Sequence, residues 1–67
     1  MTRDDELLIE EEAAEYLRQA PTTLRQWRHL RKGPAWVKVG KRALYRRSDL
    51  ERFIDERRVD PSAEGDG

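Results

Sequence analysis

The residues best suited to chemistry in this 67-residue chain are cations and hydrogen-bonding side chains gathered in one stretch. From Tyr16 to Ser48 the chain carries ten Lys or Arg side chains and no Asp or Glu. Residues 1–15 hold seven acids against Arg3 alone, and residues 49–67 hold seven more against Arg52, Arg57 and Arg58. The formal net charge of +0 therefore conceals a strongly basic middle between two acidic ends. Solvated surfaces usually mix charge signs. A long run of one sign points instead to a partner of the opposite sign, here a polyanion.

Within that stretch, PTTLRQWRHLRKG supplies the groups that could read a base edge. Arginine can bridge O6 and N7 of guanine, and glutamine can bridge N6 and N7 of adenine. Threonine can hydrogen bond or offer its methyl to thymine. At about 100° per residue of helix, Leu24, Trp27 and Arg31 share one side, while Thr22, Arg25, Gln26 and His29 project to the other. The second group is the expected base-reading face. Arg28 and Lys32 flank it and suit phosphates. So does Thr23, near a helix start whose free N–H groups favour an anion. Downstream, Lys38, Lys41, Arg42 and Arg46 are the basic candidates, with Lys41 and Arg42 expected at a loop tip that can meet the minor groove or its phosphates. Trp27 is expected in the core and Trp36 beneath the hairpin, rather than as stacking platforms for single strands.

Other chemistries find little footing. The chain has one His, no Cys and no Gly-rich phosphate loop. His29 has no second soft ligand near it in sequence, so neither a zinc site nor any other cofactor is expected. The acids lie outside the basic band, and no enzymatic activity is expected. No apolar run suits a signal peptide or approaches the roughly 20 residues of a membrane span. The expected setting is the cytoplasm.

These side chains need elements to position them. A first helix is expected over about residues 10–18: Glu10, Glu11 and Glu12 face the positive end of its dipole, and Ala13, Ala14, Tyr16 and Leu17 form an apolar face. A short break follows. Pro21 suits the first position of a second helix, expected over about 21–32 and closed by Gly33 and Pro34. AWVKVGKRALYRR reads as a β-hairpin. Its loop reads as two or three residues, and three, Gly40 to Arg42, is preferred because it would place Val37, Val39, Ala43 and Tyr45 on one face. Ser48 and Glu51 form a capping-box pattern for a third helix over about 49–58, stopped by Pro61. The chain thus divides into a flexible acidic segment 1–6, one domain over 7–58 and a disordered acidic tail 59–67. The fold class is mainly α with a β-hairpin wing. Helix, tight break, helix and hairpin is the layout of a winged helix-turn-helix, in which the second helix enters the major groove. The implied partner is double-stranded DNA.

LLIEEEAAEYL, PTTLRQW and VKVGKRALYRRSDLERFI together resemble the excisionase and AlpA-like small proteins of phages and integrated elements, which carry a MerR-like winged helix-turn-helix. The resemblance covers about residues 7–58. Three positions depart from the familiar pattern: Ile9 stands where Ser or Thr is common, Arg18 where Gly is common in the turn, and Ala20 where Ser often precedes the proline. A lost cap costs about 1 kcal/mol. By this resemblance the chain is a recombination directionality factor, which binds repeated sites beside an attachment site, bends the DNA and steers integrase toward excision. Integrase is then a partner. Self-association is expected to be cooperative on DNA, with a monomer or weak oligomer in solution. A small transcriptional regulator on the same fold is the alternative. A protein-interaction or antitoxin module, with the basic band on an acidic partner, is a third reading.

Overall fold

A computed structural model describes residues 6–61. The expectations for residues 1–5 and 62–67, most of the acidic segment 1–6 and of the acidic tail 59–67, lie outside the described residues. Six elements follow one another: β1 (Leu7–Ile9), α1 (Glu10–Leu17), α2 (Pro21–His29), β2 (Val37–Val39), β3 (Arg42–Arg46) and α3 (Arg47–Glu56). The strands form one antiparallel sheet in the order β1-β3-β2.

α1 begins without a polar cap, because Ile9 has no side-chain oxygen. Only the return half of a capping box remains: the Ile9 N–H donates to Glu12 Oε1 at 3.0 Å. Glu10, Glu11 and Glu12 place three carboxylates at the positive end of the dipole. The helix closes on Arg18, which is left-handed at φ 59°. The Gln19 N–H reaches the Ala14 carbonyl at 2.8 Å and the Arg18 N–H reaches Glu15 at 3.1 Å, the two bonds of a Schellman ending. A β-carbon makes that conformation costly, so Arg18 spends stability where glycine would not.

α2 starts at Pro21, as expected, and stops earlier than the expected Lys32. Its ending repeats the device of α1. The Lys32 N–H donates to the Trp27 carbonyl at 2.9 Å and the Arg31 N–H to Arg28 at 3.2 Å, with Arg31 left-handed at φ 58°. The closing residue is thus Arg31, not Gly33. Gly33 serves another purpose. Its φ is +91°, and a β-carbon there would lie 2.8 Å from Cε3 of Trp27. Only glycine lets the chain pass that ring.

The sheet departs from expectation in two ways. Leu7–Ile9 was expected only as a lead-in to the first helix, yet it pairs with β3: Leu7 opposite Arg46, Leu8 opposite Tyr45, Ile9 opposite Leu44. Three residues are too few to show a period. The hairpin loop has two residues, not three. Val37 pairs with Leu44, Lys38 with Ala43 and Val39 with Arg42, leaving Gly40 and Lys41 to turn. Gly40 is left-handed at φ 61° while Lys41 is not, as in the tight hairpin turn that takes glycine first. Losing one loop residue moves β2 by one place and swaps its faces. Lys38 joins Ala43 and the buried Tyr45. Val37 and Val39 turn outward with Leu44, beside Ile9 and Leu7.

The core consists of Ala13, Ala14, Leu24, Tyr45 and Leu50, with Leu8, Tyr16, Leu17 and Trp27 packed against it. Every main element except β2 contributes. Trp27 also meets Phe53, their rings 5.5 Å apart. α3 starts two residues before the expected Asp49, and its cap position is Arg46, with no side-chain cap bond. The physical reason lies in the sheet. β3 runs straight into α3, and the Arg47 N–H donates to the Glu6 carbonyl at 3.1 Å. The carbonyl of the residue before β1 thus satisfies the first N–H of a helix that begins one residue ahead of Ser48. Glu51 instead accepts a hydrogen bond from the Tyr16 hydroxyl at 3.3 Å. Three helices, with a hairpin joined by a third strand, make a winged helix-turn-helix.

Candidate nucleic-acid interface

α2 turns its apolar side inward through Leu24 and Trp27. The opposite side therefore faces solvent. Thr22, Arg25, Gln26 and His29 are all exposed, and so is Lys32 just past the helix. Thr23 and Arg28 are half-buried. In the hairpin, Lys38, Lys41, Arg42 and Arg46 are exposed. Lys41 lies in the two-residue turn and Arg42 opens β3 beside it. The wing tip approaches the helices: Lys41, Arg42, Ala43 and Leu44 line an open cleft of about 380 Å³ with Arg28, Ile9, Glu10 and Glu11. One cleft thus joins α2, the start of α1 and the wing.

The arginines of α2 differ in environment. Arg28 Nη1 donates to the Tyr45 hydroxyl at 2.7 Å and lies 3.4 Å from Glu10 Oε2. Its guanidinium also sits over the Trp36 ring, 5.5 Å from the centroid. Its side chain is 19% exposed. These contacts hold Arg28 as a brace between α1, α2 and β3. Trp36 is 42% exposed, less enclosed than the expected packing beneath the wing, and one ring face is covered by that guanidinium. Arg25 Nη2 meets the other carboxylate oxygen, Glu10 Oε1, at 3.3 Å, and its side chain is 54% exposed. Arg25 is thus tethered at one nitrogen and otherwise open to solvent.

Glu10, Tyr45 and Trp36 were not among the site residues expected from sequence. Glu10 reads as one of three dipole-facing acids, and Tyr45 as an apolar strand residue. The bonds from Glu10 to Arg25 and Arg28 span 15 and 18 residues, beyond the reach of any local spacing rule. Among the described residues, no group of three or more His, Cys, Asp or Glu is placed to hold a metal ion. No helix among them is long and apolar enough to cross a membrane.

Comparison with curated proteins and with solved structures returns no match. Residues 10–58, more than half of the chain and the whole span from α1 through α3, match the helix-turn-helix domain family. With two helices joined by a tight left-handed turn, a cation-bearing outward face on the second and a cation-tipped hairpin beside it, the chain belongs, by that match, to the helix-turn-helix family of DNA-binding domains.

Proposed function

We propose that this chain is a sequence-specific binder of double-stranded DNA that acts as an excisionase, a recombination directionality factor. One observation carries the DNA reading: the exposed face of α2 and the wing tip both supply cations and hydrogen bonders, and the wing tip shares an open cleft with Arg28 at the edge of α2. In this reading α2 enters the major groove. Thr22, Arg25, Gln26 and His29 read base edges. Thr23 and Lys32 contact the backbone. Arg28 reaches the backbone only at its exposed edge, since its other contacts brace the helix. Lys38, Lys41, Arg42 and Arg46 follow the neighbouring phosphates or the minor groove.

Excision control rests on the resemblance of the three sequence blocks, together with the family match. The chain would bind tandem sites beside an attachment site, bend the DNA and direct integrase to excise. Selection from a random duplex pool should return a short consensus. A gel-shift series should then show higher affinity per site on tandem copies than on one copy. Equal affinity per site would sink the cooperative assembly. A recombination assay with the integrase encoded nearest to this gene should yield excised circles only when the chain is present. Repression of a nearby promoter, with excision unchanged, would favour the regulator instead.

A further inference from the structure

We propose that Glu10 is a positioning residue that fixes the Arg25 guanidinium and thereby sets the sequence discrimination of α2. The inference rests on the reading of α2 as the recognition helix. Glu10 opens α1, yet its carboxylate is turned onto α2, with one oxygen on each arginine: 3.3 Å to Arg25 Nη2 and 3.4 Å to Arg28 Nη1. Its side chain is only 15% exposed. The carboxylate is itself held, because Arg28 is fixed in turn by the Tyr45 hydroxyl and the Trp36 ring. The order of anchoring runs from the buried Tyr45 through Arg28 and Glu10 to the exposed Arg25.

A guanidinium has five N–H donors in a rigid fork. Glu10 occupies one nitrogen of Arg25, and the rest of the fork stays open to solvent. An arginine held this way keeps an edge for the paired acceptors of guanine and has less freedom to swing onto a phosphate. The carboxylate also has a cost. A negative charge beside the cleft that holds Arg28, Lys41 and Arg42 repels phosphate and weakens binding to every duplex alike. Stability does not account for the outer half of the arrangement, because ion pairs to exposed arginines add little to stability. Discrimination does account for it: specificity commonly uses an element that penalises the wrong complex.

The test compares wild type, Glu10→Gln and Glu10→Ala on the selected duplex and on a scrambled duplex, by fluorescence anisotropy between about 50 and 200 mM salt. Glu10→Gln keeps the shape and one acceptor oxygen and removes the charge. Circular dichroism checks that each variant is folded. Both variants should bind the scrambled duplex more tightly than wild type, several-fold. Their ratio of selected to scrambled affinity should fall about tenfold, Glu10→Ala more than Glu10→Gln. Freeing one cation for a phosphate should steepen the slope of log K against log salt by about 1. A purely structural role would weaken both duplexes equally and leave the slope alone, and that result overturns the proposal. So does an unchanged ratio in folded variants while wild type discriminates. If wild type binds neither duplex, the reading of α2 fails first, and this proposal falls with it.

Discussion

α2 and the wing belong to one acid-free stretch of sequence, yet they hold their cations in opposite ways. α2 is anchored by the buried Leu24 and by Trp27, and its two arginines, Arg25 and Arg28, share the carboxylate of Glu10. The wing turns on two residues, exposes Lys38, Lys41, Arg42 and Arg46, and ties none of them to a carboxylate among the described residues. A fixed cation can select among bases, because its geometry suits some edges and not others. A free cation neutralises phosphate wherever the backbone runs, with no preference for sequence. On the proposed reading, discrimination falls to α2 and general affinity to the wing.

The largest expected effect tests the anchoring. Leu24→Ala should cost about 2–5 kcal/mol, enough to unfold a domain of this size whose core supplies about 3–5 kcal/mol. Val39→Ala, on the exposed face of the wing, should stay within about 0.5 kcal/mol. Urea titrations followed by circular dichroism measure both, and similar losses would erase the contrast. Next comes recognition. Arg25→Ala should remove about 1–3 kcal/mol of discrimination at one base position, read as convergence of the dissociation constants for the selected duplex and its single-base variants. Lys41→Ala should weaken all duplexes by one common factor and reduce the salt slope by about 1. A change of preference in Lys41→Ala, or a uniform loss in Arg25→Ala, would reverse the assignment. The smallest effect separates stability from binding. Arg18→Gly relieves a left-handed residue in the turn and should add about 0.5–1 kcal/mol, a rise in Tm of several degrees, with DNA affinity unchanged.

Much of this architecture was legible in residue order. Pro21 marked the start of α2, three glutamates marked the start of α1, and the spacing of Leu24 and Trp27 placed the core side. What failed depended on contacts distant in sequence. Leu7–Ile9 becomes a strand only because β3 lies alongside it, and three residues carry no period of their own. The hairpin loop could be two or three residues, and the choice came from the left-handed Gly40. The start of α3 was read from Ser48 and Glu51, but the sheet continues to the Glu6–Arg47 bond and serves the helix there. Both helix-closing left-handed residues are arginines, where glycine would be expected. The exposed site residues were readable from the helical wheel. The tether among Glu10, Arg28 and Tyr45 was not, since only the packed fold brings α1, α2 and β3 to one point.

The central claim is that the basic face grips duplex DNA through its phosphates. The most direct test is the binding constant of the wild-type chain for a labelled duplex, measured between about 50 and 200 mM salt. With about six phosphates neutralised, log K should fall against log salt with a slope of roughly −5. A flat response over that range would contradict the account.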